Sequence, residues 1–391
     1  MEITFDLLQT TGIAALVVFI GQALLKRSKI MQKYCIPAPV VSGLLVSLIL
    51  MVLKLNDVLT INWTLHMQEW TMDLFFTTVG FGASIKLLKK GGKLCVGIAI
   101  TICALILVQN LVAISMAKAF GLHPLIGLSI GSVAMDGGVG TAAAFGPQFE
   151  LLGAEGATEI GIAAATFGMI FGSLTGGPIA RRIIKKNDFS GENKEVNDNS
   201  DNSLIKSENL IRMFFVMILI ASLGTIITLV LNKIPNIHLP YFVGCILSGV
   251  VARNIMEIKE IPFYEEEIDT ISCMMLDLFL AQALMTLDLT KLIGAAGPMF
   301  AILAAMVLLM VIWARFVTYN LCGRNYDAAV MAAGHCGLGL GAGPNALANE
   351  RAVMAEHGYS ELGWLLFPAF ALVVDDIFNP IVIAAIMSLY K

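Results

Sequence analysis

Charge is scarce in this 391-residue chain: 14% of its residues are Asp, Glu, Lys or Arg, against about 25% in an ordinary soluble domain. No basic block stands out, and the net charge is −4. Nucleic-acid binding and disorder are excluded on that ground. The seven cysteines (Cys35, Cys95, Cys103, Cys245, Cys273, Cys322, Cys336) form no C-x-x-C pair, and five lie in apolar runs. They are read as buried small residues rather than disulfides or metal ligands. His66, His123, His238, His335 and His357 show no zinc spacing. No Lys or Arg precedes residue 26, so there is no secretory n-region and the first apolar segment is expected to be kept.

What the chain has is apolar surface. Hydrophobic residues make up 57%, and the mean hydropathy is +0.81. That excludes an ordinary soluble enzyme. Thirty-six Gly and twenty Met suit tightly packed membrane helices. A bilayer crossing needs about 20 mostly apolar residues. Charge-free runs of that kind are 7–25, 34–53, 94–117, 160–180, 213–232, 234–252 and 292–314. Three more stretches carry isolated acids: 70–88 (Asp73), 269–290 (Asp277, Asp288) and 361–388 (Asp375, Asp376). The expected fold is therefore all-α and polytopic, with ten transmembrane helices.

Two apolar segments fit badly as spans. Residues 121–147 hold seven glycines, and 334–343 (GHCGLGLGAG) hold five in ten. Each costs up to about 1 kcal/mol against Ala in a helix. Non-helical backbone survives at membrane depth only inside protein or beside a water-filled cavity. Both segments are expected to be re-entrant, over 121–147 and about 328–349. With the N-terminus outside, twenty Lys and Arg fall on the cytoplasmic side and five (Lys54, Lys118, Lys233, Lys291, Lys391) outside. That split places both termini outside. The polar stretch 187–209 reads as a flexible cytoplasmic linker.

The halves match at an offset near 203. IPAPVVSGLL (36–45) parallels LPYFVGCILSG (239–249), MDLFF (72–76) parallels LDLFL (276–280), and GSVAMDGGVGTAAAF (131–145) parallels GHCGLGLGAGPNALA (334–348). Five spans per half make the second half enter the membrane upside down. The division is thus a first repeat at 1–186, the linker, and a second repeat at 210–391. Inverted repeats with broken helices are the plan of secondary transporters, with the binding site at the repeat interface.

Broken helices expose N–H groups and a positive dipole end, which suit a carboxylate. Free carbonyls and Asp or Asn oxygens suit a hard cation such as Na⁺. The substrate-binding candidates are Asp136, Gly137, Gly138, Gly140 and Thr141 in the first tip. In the second they are His335, Gly341, Gly343, Pro344 and Asn345, with His335 open between a binding and a packing role. Intramembrane acids default to function, so the Na⁺ candidates are Asp277, Asp375, Asp376 and the neutral Asn349. Asp73 and Asp288 suit an exposed interface role as well as a site role. No Lys or Arg lies mid-span, so an anionic substrate has to be neutralised by co-transported cations and dipoles. Enzyme-like motifs fail in context. GLSIG (127–131) lacks a strand–turn–helix setting, GLGLGA (337–342) lacks a βαβ unit, and DDIFN (375–379) has no second copy. No catalytic residue, enzymatic activity or cofactor is expected.

IPAPVVSGLL (36–45), GGVGTAAAFG (137–146), ATFGMIFGSLTGGPIARR (165–182) and AAGHCGLGLGAGPNALAN (332–349) resemble the bacterial sodium/glutamate symporter family. The resemblance covers nearly the whole chain outside 187–209. It implies Na⁺-coupled uptake of L-glutamate across the bacterial inner membrane, two inverted five-helix repeats, and a homodimer with an elevator-like moving domain. Members usually carry Ser-Gly-Gly-His-Gly-Thr in the first tip, where this chain has Asp136-Gly137-Gly138-Val139-Gly140-Thr141. In the second they carry Ala-Thr-Pro-Thr, where this chain has Ala342-Gly343-Pro344-Asn345. The added carboxylate at 136 points to an extra cation or a less acidic substrate. The alternative reading is a Na⁺- or H⁺-coupled carrier of another organic acid on the same scaffold.

Overall fold

The computed structural model describes residues 2–34, 36–84, 86, 92–191, 205–234, 239–292 and 295–390. Most of the linker expected at 187–209 lies outside them, as do Cys35, Lys89, Lys90, Lys194, His238 and Lys391. The described chain is helical apart from one feature that hydropathy does not reveal. Strand β1 (Glu2–Thr4) pairs in parallel with β2 (Thr60–Asn62).

Among the described residues, nine helices are long and apolar enough to cross a membrane. They are α1 (Leu7–Arg27), α3 (Ala38–Leu55), α5 (Gly92–Ala119), α9 (Ala157–Asn187), α10 (Ser207–Leu231), α11 (Tyr241–Ile258), α12 (Glu265–Met285), α13 (Ala296–Leu321) and the last, α16 (Phe367–Met387), whose membrane-length stretch is Phe370–Tyr390. The short α2 (Lys29–Lys33) follows α1. The tenth expected span, around Asp73, is α4 (His66–Phe81), only 16 residues. At 1.5 Å per residue it is about 24 Å long, short of the ~30 Å hydrocarbon layer. Helix starts follow local chemistry. Asp6 and Gln9 form a capping box on α1, and Pro37 ends its extended segment where α3 begins.

The chain divides into two compact units that cut across the sequence halves: 1–84 with 202–293 and 384–391, and 85–201 with 294–383. In the first unit, α4 packs on α11 through a mutual glycine contact. A Cβ on Gly80 would overlap the Ile246 carbonyl, and one on Gly249 the Thr77 carbonyl. That closeness is what small residues permit between membrane helices. Phe76 and Phe242 stack beside it with centroids 4.8 Å apart. Arg253 is buried and answered by Glu257 at 2.8 Å and Glu265 at 3.2 Å. Lys54 donates to Asp288 at 2.7 Å, both partly exposed.

In the second unit, both glycine-dense segments are interrupted helices. The first runs α6 (Pro124–Ile130), α7 (Ser132–Met135) and α8 (Gly138–Leu151). The second runs α14 (Tyr326–Leu338), a non-helical break, then α15 (Gly343–His357). Helix α13 carries a π turn at Ala314–Thr318, a local widening that is frequent at functional sites. A second π turn, Leu362–Leu366, leads into α16, whose α-helical part is Phe367–Met387. A core of Ile98, Ile102, Ile106, Met331, Leu338 and Phe367 ties α5, α14 and α16 together. The described cysteines are free thiols, four of them buried.

Candidate functional site

The two interrupted segments touch at their breaks. Gly138 has φ +64°, and a Cβ there would lie 2.9 Å from the Gly341 carbonyl oxygen. A side chain would be strained and crowded at once, which explains the glycine physically. Gly137 faces Thr141 one turn on so closely that a Cβ would overlap the threonine side chain. Gly140 lies half-buried in the first turn of α8. Gly341 packs on the Met169 Cα, and Gly343 on the Leu372 side chain. Pro344 opens α15, where a missing N–H costs nothing.

Asp136 sits at the break between α7 and α8, with its N–H on the Ser132 carbonyl at 3.1 Å. Its side chain is 4% exposed, and neither carboxylate oxygen has a hydrogen-bond partner. Asp375 on α16 lies within its electrostatic reach, is 2% exposed, and has an unpartnered Oδ1. Asp376 is half-buried next to it and acts on Asp375. Asp375 is thus within electrostatic reach of both Asp136 and Asp376, with no Lys or Arg paired to them among the described residues, although no three His, Cys, Asp or Glu side chains there stand close enough together to form a metal-binding cluster. Buried carboxylates need a counter-charge or a proton.

The scaffold under the acids was not legible in the sequence. Ser132 Oγ donates to Asn379 Oδ1 at 2.6 Å, and Asn379 Nδ2 donates to the Ser132 carbonyl at 3.0 Å. The Ser132 N–H goes to Asn110 Oδ1 at 2.9 Å. Gln109 Nε2 donates to the Gly339 carbonyl at 2.8 Å. Adjacent amides on α5 therefore fasten both segments, Asn110 the first and Gln109 the second. The available signals were the Gln109-Asn110 pair inside a charge-free run and Asn379 one helical turn after Asp375. A search confined to charged and glycine residues passes over both.

The second-tip residues hold their helix in place. Asn345 donates to the Met169 carbonyl at 3.0 Å and to Ser173 Oγ at 2.8 Å. Asn349 donates to the carbonyls of Gly172 and Ala333 at 3.0 and 3.1 Å. Their amide nitrogens bind α15 to α9 and α14. His335 is fully buried, with Nδ1 2.7 Å from Thr318 Oγ1, which in turn lies 3.2 Å from Thr101 Oγ1. Its Nε2 has no hydrogen-bond partner. Thr141 is 7% exposed at the start of α8. Asp277 lies in the first unit, half-buried, with Gln22 as its hydrogen-bond partner. One further buried carboxylate of the second unit, Glu350 on α15, was not singled out from the sequence.

The sequence pattern of the sodium/glutamate symporter family matches residues 3–359. The sodium/glutamate symporter of Haemophilus influenzae is 38% identical over 393 residues, covering 97% of this chain and 96% of that protein. That of Escherichia coli strain K12 is 38% identical over 394 residues, covering 98% of both chains. That of Shigella flexneri matches to the same extent. With nine membrane-length apolar helices among the described residues, this is a multi-pass membrane protein, and the group it resembles is one of transporters rather than enzymes. The chain belongs to the sodium/glutamate symporter family.

Proposed function

We propose that this protein is a Na⁺-coupled symporter of L-glutamate or a closely related anionic amino acid, working by alternating access. The observation that carries the reading is the meeting of two interrupted helices at Gly138 and Gly341 beside three carboxylates that lack a basic partner. The N-terminal ends of α8 and α15 supply the positive ends of helix dipoles and unbonded N–H groups for a substrate carboxylate. Gly137, Gly138, Gly140 and Thr141 flank one end; Gly343, Pro344 and Asn345 flank the other. Gly341 forms the break opposite Gly138, and His335, buried behind it on α14, leaves its Nε2 to face the substrate when the tips open. Asp136, Asp375 and Asp376 take the cation, which offsets the substrate's negative charge. Asn349 positions α15. The extra carboxylate at Asp136 raises the demand for cations, which favours either more than one Na⁺ per substrate or a less acidic amino acid.

In this reading the protein resides in the bacterial inner membrane with both termini outside. It works as a homodimer of inverted five-helix repeats (1–186 and 210–391) and needs no cofactor beyond Na⁺ as coupling ion. The test is uptake of labelled L-glutamate into proteoliposomes, with Na⁺, H⁺ and voltage imposed separately. A Na⁺ gradient alone should drive accumulation above the external concentration. Accumulation driven equally by H⁺ without Na⁺ would move the protein to an H⁺-coupled organic-acid carrier. Equilibration without accumulation would make it a passive pore.

A further inference from the structure

Glu350 is a fully buried carboxylate in the second unit to which the proposed symport gives no task, and its setting is unusual. It lies on α15, five residues and about 7.5 Å along the helix from Asn345. Its side chain is 0% exposed, and neither carboxylate oxygen has a hydrogen-bond partner. It packs so tightly on α14 that a Cβ added to Gly334 would overlap Oε1.

Among the described residues no ion pair to it is formed. On α14, Asp327 accepts from Ser360 Oγ at 2.6 Å, and the His335 ring is turned to Thr318. On α9, Arg181 is paired with Glu356 at 2.7 Å, and the close approach at Gly176 is to Asn349. The turn Leu362–Leu366 has no titratable residue. On α15 itself, Arg351 lies over the Trp364 ring, and His357 stands beside Glu356.

A bare anion so placed costs several kcal/mol. A hard cation could relieve that cost only by bringing several oxygen ligands, and the neighbour pressed against Oε1 is Gly334, which has no side-chain oxygen to offer. A proton needs no such ligands. The packed α14–α15 arrangement therefore requires a protonated acid. When α15 separates from α14 and water reaches the carboxyl, the anion becomes affordable and the proton can leave.

We propose that Glu350 is a proton-binding site, filled while α14 and α15 are packed together and emptied when they part, so that the carrier moves a proton along with Na⁺ and substrate. This rests on the symport reading above, since a proton is carried only if the protein cycles. The test follows internal acidification with a trapped pH dye during Na⁺-driven glutamate uptake, at clamped voltage. The wild type should acidify the lumen, with uptake that falls as pH rises. Glu350→Gln, which mimics the protonated acid, should keep Na⁺-driven uptake, lose the linked acidification, and lose the pH dependence. Glu350→Asp should retain the acidification. Equal acidification in wild type and Glu350→Gln, or none in the wild type, would overturn the proposal.

If Na⁺ drives no glutamate uptake at all, the symport reading fails, and infrared spectra of the purified protein decide the proton site alone. A protonated-acid carbonyl band that disappears in Glu350→Gln supports it. Identical spectra overturn it. A Glu350→Gln variant that does not fold would be replaced in both measurements by Glu350→Met, with the same two outcomes.

Discussion

Replacing Gly138 by Ala tests the contact between the interrupted segments, because the structure supplies its own controls. Gly138, Gly121 and Gly153 all have left-handed backbone, with φ of +64°, +73° and +90°. An Ala at any of them costs about 1–2 kcal/mol from that conformation alone. Around Gly121 and Gly153 an added Cβ meets nothing within 4 Å. At Gly138 it meets the Gly341 carbonyl oxygen at 2.9 Å, well inside ordinary van der Waals contact. The segments must then move apart, and overpacking of this kind costs a further ~1–3 kcal/mol. An excess of that size lowers the population with touching tips by roughly 5- to 150-fold. Gly138→Ala should therefore cut the initial rate of Na⁺-driven glutamate uptake by at least several-fold relative to Gly121→Ala and Gly153→Ala. Thermal unfolding of the purified variants would show whether the three are equally folded. An uptake rate for Gly138→Ala within about twofold of both controls would refute the reasoning.

Asn379→Leu removes both bonds to Ser132 and leaves buried polar atoms unanswered, at about 1–3 kcal/mol per group. It should lower the unfolding midpoint, and adding Ser132→Ala should restore part of the loss; strict additivity of the two changes would show that the pair does not interact. Asn349→Ala should also lower the unfolding midpoint, since the carbonyls of Gly172 and Ala333 lose their shared donor. Asp288 lies outside the spans. Partial burial by itself would raise its carboxyl, but the Lys54 hydrogen bond, the Thr290 hydroxyl and N–H, and the Lys54 charge hold it below the ordinary 3.8. The depressed value means that its stabilisation is present above 3.8 and fades as pH falls through the lower folded value. Lys54→Met should cost under about 1 kcal/mol near neutral pH, and the difference from wild type should shrink in acid; a difference that grew in acid would reverse the sign of the argument.

Much of the fold could be read ahead because two signals in the sequence are strong. Long charge-free runs become helices for want of any other way to satisfy the backbone in lipid. Glycine density marks where helices stop: α6 ends at Gly131, α8 begins at Gly138, and α14 and α15 flank the break holding Gly339 and Gly341. In the stretch expected at 70–88, helix α4 ends at Phe81, and residues 85, 87 and 88 lie outside the described ones. The β1–β2 pairing, only three residues per strand, carries no periodicity to detect.

The acids were legible because charge in an apolar run is conspicuous; their partners were not. Ser132 and Asn379 are 247 residues apart, and a neutral amide inside a span raises no alarm in a charge count. The sequence suggests Asn345 and Asn349 for their side-chain oxygens, yet the structure engages their nitrogens in packing. That choice depends on which carbonyls α9 turns toward α15, a tertiary fact. Glu350 escaped because α15 is too polar overall to read as a span, and the sequence does not show that one of its faces is sealed.

In the proposed symport, Asp136, with Asp375 in electrostatic reach, takes a coupling cation. The most direct measurement is the Na⁺ dependence of glutamate binding to purified Asp136→Asn beside the wild type. Asn is nearly isosteric but neutral, so the half-saturating Na⁺ concentration should rise by about tenfold or more, equivalent to ~1.4 kcal/mol or more, while the unfolding midpoint stays level or increases. An unchanged Na⁺ dependence in a folded Asp136→Asn protein would contradict the account.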